Sequence, residues 1–158
     1  MAISTSSGAK FYIGPVDNSA VLQAEYEALT FVEVNEVESI SEFGDQASTV
    51  TATTLADARV RKRKGVRDAG DITVVVLRDP LDPGQLDMVA AEATEFTYAC
   101  KVEFADAADA NDTDTVVYFR ALISSVRIAG LQPNEITKRN FVALIDSAVL
   151  EIASVAVP

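Results

Sequence analysis

Nucleophilic and acid–base chemistry have few residue types to draw on in this sequence. The chain of 158 residues contains no histidine and a single cysteine, Cys100. Histidine is the usual general base at neutral pH, the usual partner of a serine or cysteine nucleophile and the commonest metal ligand. The 24 Asp and Glu residues are spread along the chain, which is typical of a solvated acidic surface rather than a carboxylate pair in a cleft. The sequence therefore predicts that the protein is not an enzyme and has no catalytic, cofactor-binding or metal-binding residues.

An oxygen-rich run is the best candidate for a metal site. It contains Asp106, Asp109, Asn111, Asp112 and Asp114. A calcium loop that starts at Asp109 needs glycine at its sixth position and glutamate at its twelfth. Those positions hold Asp114 and Arg120, so we interpret the run as a solvated loop between two strands. Cys100 lies in an apolar alternating run, which favours a buried thiol over a reactive one.

A basic segment stands out in this acidic chain, because six of the thirteen basic residues lie within nine positions. The six are Arg59, Arg61, Lys62, Arg63, Lys64 and Arg67. The segment lacks interleaved aromatic residues, and the net charge of −11 opposes binding to polyanions. Three interpretations are open: a nucleic-acid patch, a solvated charged hairpin, and a long projecting hairpin or loop that docks on an acidic face of another copy. We adopt the third and predict that these six residues form an inter-subunit interface.

Alternating apolar residues predict a mainly β protein, an antiparallel β-sandwich or barrel. The clearest strands are Glu95 to Phe104 and Thr115 to Arg127, which we expect to pair through the acidic loop. The second of these has apolar residues on two faces, so both sides could be covered. Ile72 to Leu77 is also apolar on both faces, which predicts burial beneath a helix or a neighbouring subunit. Phe141 to Ile145 and Val149 to Val155 are predicted as the closing strands.

One flanking helix is predicted from Asp82, with Pro83 at its first position and Gln85 in a capping-box-like pattern. The residues predicted to pack it on the sheet are Leu86, Val89, Ala90 and Ala93. A second, short helix is predicted between Ser19 and Leu29, with Asn18 as its candidate cap.

We predict a single domain over residues 1–158, with residues 1–8 as a mobile N-terminal arm. No window is apolar enough to span a bilayer, and the first ten residues lack the features of a secretion signal. We therefore expect an unsecreted protein without a membrane partner.

The order and spacing of five segments resemble those of the tail tube (major tail) proteins of long-tailed bacteriophages with non-contractile tails. The segments are Phe31 to Ile40, Arg59 to Gly65, Asp79 to Gln85, Val117 to Ile123 and Arg139 to Phe141. The resemblance extends over most of the chain and depends on this order rather than on a chemical signature.

The resemblance implies a structural virion protein that forms hexameric rings stacked into a hollow tube. Genome DNA passes through such a tube during infection without specific binding. The implied partners are copies of the chain itself, a tape-measure protein, and tail tip and terminator proteins, with assembly in the host bacterial cytoplasm. No membrane and no small-molecule substrate are implied.

Two groups of alternatives are open at this point. The same fold serves the inner tubes of contractile tails, type VI secretion systems and gene transfer particles. A small-ligand-binding β-barrel is a rival of a different class, and it needs a cavity lined by apolar side chains with a few polar groups. For a tube, the acidic composition and the many strands predict a lumen wall that is a continuous sheet with an acidic inner surface.

Overall fold

Ten strands and two helices follow one another along residues 3–157, the part of the chain that the computed structural model describes. The strands are β1 (Lys10–Val16), β2 (Val32–Val34), β3 (Val37–Ile40), β4 (Gln46–Ala52), β5 (Arg61–Asp68), β6 (Asp71–Leu77), β7 (Tyr98–Glu103), β8 (Val116–Ala129), β9 (Lys138–Ile145) and β10 (Leu150–Ile152), and the helices are α1 (Gln23–Glu27) and α2 (Pro83–Glu92). This confirms the prediction of a mainly β chain. Within this range, no helix has the length and apolar character that a membrane crossing requires.

Eight of the strands form one antiparallel sheet with the order β2-β1-β7-β8-β9-β6-β3, and β10 pairs with β8 beside this path. The 14 residues of β8 are the centre of the sheet. Its first half pairs with β7 and with β10, where Tyr118 lies opposite Leu150. Its second half pairs with β9, where Ile123 lies opposite Ala143. The predicted antiparallel pair joined by the acidic loop is therefore confirmed as β7 and β8.

The two ends of this sheet are neighbours in the sequence. β2 stands at one end and β3 at the other, but only Asn35 and Glu36 separate them. Three residue steps span at most about 11 Å. The sheet must therefore curl until its ends meet, which gives an open barrel. Glu36 makes the turn with a φ of 61°, in the left-handed region that few residues other than glycine adopt.

The curled sheet encloses one contiguous apolar core. Inward-facing positions alternate along each long strand, as in Ile72, Val74 and Val76 of β6. The buried members contributed by the other strands include Phe11, Ile13, Val34, Cys100, Val102, Val117, Phe119, Ala121, Ile123, Phe141, Ala143 and Ile145. The strand predicted from Thr115 to Arg127 thus contributes one of its two apolar faces to this core.

Helix α2 covers the barrel, but not through the face that the sequence predicts. Met88 and Ala91 are buried in the core, whereas Leu86 is 50% exposed and Ala90 is exposed. Ala93 is also exposed, and Val89 alone among the predicted contacts is partly buried. The prediction is wrong because it assigned the face by hydrophobicity alone, and the inward side of this helix also carries a glutamine.

That glutamine belongs to a polar group of three residues, Asn35, Asp82 and Gln85, which we call the closing cluster. Asp82 caps the helix, because its Oδ2 accepts from the Gln85 backbone N at 3.0 Å and from the Asn35 backbone N at 3.2 Å. Its Oδ1 accepts from Asn35 Nδ2 at 2.6 Å. The Gln85 side chain donates to the carbonyl oxygens of Asn35 and Leu77 at 3.1 and 2.9 Å. The cluster therefore joins the helix to both ends of the sheet.

The close approach of the helix to β2 depends on Gly84. A Cβ atom at this position would collide with the carbonyl oxygen of Glu33. The predicted cap at Asp82 is confirmed, but the Gln85 side chain binds the backbone of Asp79, Asn35 and Leu77 rather than returning to Asp82. The reciprocal half of the predicted capping box is therefore absent among these contacts.

Helix α1 is present and shorter than predicted. It begins at Gln23, and the free amides before it are satisfied by Glu25, whose Oε2 accepts from the Val21 and Leu22 backbone N atoms at 2.7 and 2.9 Å. Asn18 is therefore not its cap. These hydrogen bonds lower the pKa of Glu25. The buried residue of the helix is Tyr26.

A second, smaller apolar core lies on the opposite face of the sheet and includes Tyr26. Its ring stacks on Tyr118 of β8 with centroids 5.1 Å apart, and Phe31 packs against the same tyrosine at 5.9 Å. Lys101 Nζ lies 4.1 Å from the centroid of Tyr12 nearby. The second apolar face of β8 is therefore covered by the same chain through α1 and the segment before β2.

Several strand boundaries differ from the sequence predictions, most clearly the start of β7 and the end of β10. Phe96 lies before β7 and is 59% exposed, and β10 ends at Ile152. Residues 3–8 are exposed and contain neither helix nor strand. Met1 and Ala2 of the predicted arm lie outside the described residues, so the mobility of residues 1–8 stays a prediction.

We expect the Met88→Ala substitution to lower the free energy of unfolding by about 2–5 kcal/mol, because it opens a cavity at a fully buried site. Leu86→Ala is the matched control on the solvent side of the same helix, and it should change the free energy by about 0.5 kcal/mol or less. Urea denaturation of both variants measures the difference. Equal losses would contradict the helix orientation described above.

We also expect Asp82→Ala to lower the free energy of unfolding by about 2 kcal/mol or more, because it removes the helix cap and leaves the amide donors of Gln85 and Asn35 without an acceptor. Asp87→Ala removes the same charge from an exposed position of the helix and serves as the control. Thermal and urea melts of the two variants test this. A loss no larger than that of the control would show that the closing cluster is not stabilising.

Candidate inter-subunit surface

The basic segment lies on a two-stranded ribbon that is separate from the main sheet. β4 and β5 pair only with each other, and we call residues 46–68 the basic hairpin. Arg59 lies in the connection at the tip, and the other five basic residues lie on β5. All six are exposed. The predicted projecting hairpin is therefore confirmed, whereas its contact with another subunit stays a prediction.

The hairpin leaves the body between two strands that are themselves neighbours. β3 and β6 are hydrogen-bonded partners, and the hairpin is inserted between them in the sequence. At its base the Gly44 amide donates to the Ala69 carbonyl at 3.4 Å, and the Ser41 amide donates to the Thr73 carbonyl at 2.9 Å. The body therefore closes beneath the hairpin.

The ribbon is built from residues that favour extended backbone, with Ser48, Thr49, Val50 and Thr51 along β4. Its register shifts between Ala47 and Thr49, which is the signature of a bulge. Gly65 occupies this point on β5, because a Cβ atom there would collide with Ser48 Oγ. A bulge of this kind bends the strand and increases its local twist.

The cations of the hairpin lack compensation from the strand beside them. Lys64, Arg63, Lys62 and Arg61 lie opposite the neutral residues Thr49, Val50, Thr51 and Ala52. Arg61 binds Asp57 near the tip, with Nη2 2.6 Å from Oδ2, and Arg67 lies 3.8 Å from Asp45 at the base. Within residues 3–157, no carboxylate oxygen lies within 4.0 Å of the charged nitrogens of Arg59, Lys62, Arg63 or Lys64.

Charge is segregated between the hairpin and the rest of the chain. Residues 46–68 hold six of the thirteen basic residues and two of the 24 acidic residues, so the hairpin carries +4 and the remainder of the chain −15. Like charges on adjacent positions repel one another in the monomer. A carboxylate-rich partner surface would convert this repulsion into attraction.

Apolar side chains accompany the cations, and the sequence interpretation missed them. Val50, Leu55, Val60 and Val66 are all more than half exposed, and Leu55 at the tip has a relative exposure of 110%. A two-stranded ribbon in water has no core in which to bury such residues. The signal in the sequence was an isolated leucine within a polar stretch, which periodicity does not detect.

Two carboxylates of the acidic loop between β7 and β8, those of Asp106 and Asp114, accept hydrogen bonds from the loop and from Thr115. Asp106 accepts from the Thr115 backbone N at 2.8 Å and from its Oγ1 at 2.7 Å, and these bonds lower the pKa of Asp106. Asp114 Oδ1 accepts from the Asp106 and Ala107 backbone N atoms at 3.0 and 2.9 Å. In the described part of the chain, no group of three or more His, Cys, Asp or Glu residues is arranged to hold a metal ion.

The pKa shifts of Cys100 and of three carboxylates are not those of acid–base catalysts at neutral pH. Burial raises the pKa of the Cys100 thiol to about 12, which keeps it protonated at neutral pH. Backbone hydrogen bonds lower the pKa values of Asp17 and Glu25, as they do for Asp106. A carboxylic acid that donates a proton near neutral pH needs a shift in the opposite direction.

The sequence matches no family model and no curated protein. Its fold, in contrast, matches solved structures. A chain in the cryo-EM structure of the sheath/tube terminator of an extracellular contractile injection system, PVC, has a TM-score of 0.70 and 12% identity over 97% of this chain and 99% of that chain. A chain of the PVC sheath-tube complex has a TM-score of 0.65 and 13% identity over 92% and 88% of the two chains.

The SPP1 tail tube, in a hybrid solid-state NMR and cryo-EM structure, has a TM-score of 0.62 and 11% identity over 92% of this chain and 76% of that chain. None of these three is named for an enzymatic activity. At such identities the likeness concerns the fold alone. It confirms that the chain has a tail tube-like fold, which it shares with chains of a phage tail tube and of contractile injection systems.

Proposed function

We propose that this protein is a structural virion subunit that forms hexameric rings, and that these rings stack into the hollow tail tube of a long-tailed phage with a non-contractile tail. The tube is the conduit for genome DNA, which passes without specific binding. The fold shared with the SPP1 tail tube supports a tube-forming role.

The observation that carries the proposal is the projecting hairpin with its uncompensated cations. Arg59, Lys62, Arg63 and Lys64 have no carboxylate partner among the described residues, and the rest of the chain carries −15. In this proposal the hairpin of one subunit contacts the acidic body of another, in the same ring or the next. Exposed ion pairs contribute only about 0.2–1 kcal/mol each, so a repeated interface with several pairs is required.

The remaining partners follow from the resemblance of the sequence segments. A tape-measure protein occupies the growing tube, a tip complex initiates it and a terminator ends it, in the host bacterial cytoplasm. The lumen wall is a continuous sheet built from neighbouring subunits, with an acidic inner surface that does not retain DNA.

A tube subunit of a contractile tail is the second candidate, because two of the three similar structures described above belong to a contractile injection system. The hairpin has the same role in both. The interior of the barrel is occupied by the contiguous apolar core, which gives no support to a ligand-binding β-barrel.

We expect the triple variant Arg61→Glu, Arg63→Glu and Lys64→Glu to fold normally and to form no rings or tubes. The three sites are exposed, so the melting temperature should stay close to that of the wild type. Negative-stain microscopy of concentrated protein, with an initiating tip complex where spontaneous assembly is slow, measures polymerisation.

The same assay on the wild type tests whether charge drives assembly. Assembly of the wild type should weaken as salt rises, since the distance over which charges interact falls from about 8 Å at 0.15 M to about 3 Å at 1 M.

The control is a triple variant with the same change in net charge at exposed positions outside the hairpin, Lys10→Glu, Arg78→Glu and Arg127→Glu. It should still assemble. Normal tubes from the hairpin variant would reject the docking role and leave the hairpin as a solvated element. Absence of rings and tubes from the wild type under all conditions would reject the proposed function itself.

A further inference from the structure

A groove of about 460 Å³ lies beside β3, between the segment from Val37 to Phe43 and the segment from Ser6 to Ala9. We call it the β3 groove. Its apolar floor consists of Val37, Ile40, Phe43 and Phe104, which are partly buried and pack on the main core. The groove is therefore a surface depression whose apolar floor is continuous with the main core.

One wall of the β3 groove is an unpaired strand edge. β3 is the last strand of the sheet and pairs with β6 on one side. Within residues 3–157, no strand pairs with its other side. An edge of this kind offers backbone donors and acceptors to a further extended segment.

The rim of the β3 groove is acidic. Glu38 and Glu42 both line it and are exposed. The Glu38 carboxylate lies 2.9 Å from Lys138 Nζ, whereas no basic side chain lies within 4.0 Å of Glu42 among the described residues. A segment that enters this groove would be favoured if it carried an apolar residue close to cations.

The tip of the basic hairpin has this combination. Leu55 is fully exposed, and Arg59 and Arg61 follow it within six positions. The ion pair between Arg61 and Asp57 links the second half of the connection to the start of β5, and Leu55 lies before it in the chain. The tip is thus a cationic element whose most exposed apolar side chain, Leu55, is not covered by its own chain.

The tip cannot reach the β3 groove of its own chain. The groove ends at Phe43, three residues before β4 begins at Gln46, so it lies at the base of the hairpin. The seven residues of β4 place the tip about 23 Å from that base, since a strand rises about 3.3 Å per residue. A paired ribbon does not fold back on itself over its own length. The contact must therefore be between chains.

We propose that the tip of the basic hairpin of one copy docks in the β3 groove of a neighbouring copy, with Leu55 on the apolar floor and the basic residues beside Glu38 and Glu42. The proposal rests on the proposed function and identifies the acceptor surface for the hairpin. Because donor and acceptor are different surfaces of each chain, the contact is head-to-tail, and such contacts generate either closed rings or open stacks.

A cysteine pair tests the contact in assembled tubes. Leu55→Cys places a thiol at the tip, and Ser39→Cys places one on exposed β3 in the groove. Cys100 is buried, with its pKa raised to about 12, and does not compete. We expect mild oxidation of double-variant tubes to convert most of the protein to a ladder of covalent multimers on a non-reducing gel, because every copy supplies both thiols.

Two controls accompany this test. Leu55→Cys combined with Ala93→Cys, an exposed position at the end of α2, should stay largely monomeric. A mixture of the two single variants Leu55→Cys and Ser39→Cys should give cross-linked dimers only, because each chain then has one thiol. Dimers without larger products would show that the bond joins different chains.

A second measurement needs no variant and applies if the cysteines impair assembly. Wild-type tubes grown from isotope-labelled and unlabelled chains are treated with a carbodiimide, and the peptides are identified by mass spectrometry. We expect mixed-isotope links from Lys62 to Glu38 or Glu42. Tubes in which neither the thiol pair nor these residues are linked would overturn the docking proposal while leaving the proposed function intact. A wild type that never forms rings or tubes would overturn both.

Discussion

The fold depends on one constraint, that the two ends of the main sheet are joined by a turn of two residues. β2 and β3 cannot separate by more than this turn allows, so the sheet must close around its core. Closure brings the polar backbone of the turn beside the buried side chains of Asp82 and Gln85, and these two side chains would be costly to bury without hydrogen-bond partners. Asp82 and Gln85 supply the hydrogen bonds that Asn35 and Leu77 require. The curled sheet, the position of α2 and the glycine at its second residue all follow from this requirement.

The second organising factor is the separation of charge between a body of −15 and a hairpin of +4. Within one chain this arrangement contributes little, because most of the hairpin cations have no carboxylate near them. In the proposed assembly it would favour one relative orientation of neighbouring chains, since acidic bodies repel one another and a basic hairpin is attracted to the body of its neighbour. Electrostatic complementarity of this kind contributes more to specificity and association rate than to affinity.

Local signals in the sequence were sufficient for much of the fold. The alternation along β8 and β9 identified the core strands, and the Asp82-Pro83 pair identified the start of α2, because both patterns reflect interactions within a few residues. The four adjacent cations at Arg61 to Lys64 indicated a projecting element, since they could not enter a core.

Long-range contacts determined what the sequence did not reveal. Gln85 faces inward because its partners are Asn35 and Leu77, and the former is 50 positions away in the chain, so the amphipathic pattern of the helix pointed to the wrong face. The β3 groove arises from segments near residues 8, 40 and 104 that only the closed sheet brings together. The exposure of Leu55 could not be recognised without knowing that β4 and β5 lack a third layer.

The closed base of the hairpin allows the length of β4 and β5 to change during evolution without changing the barrel. Because β3 and β6 remain hydrogen-bonded beneath the insertion, residue pairs could be added to or removed from β4 and β5 without altering any contact of the barrel. The entropic cost of a longer connection grows only slowly with its length. Selection can therefore adjust the reach of the hairpin separately from the folding of the domain that carries it, and in the proposed assembly this reach would set the spacing between neighbouring molecules.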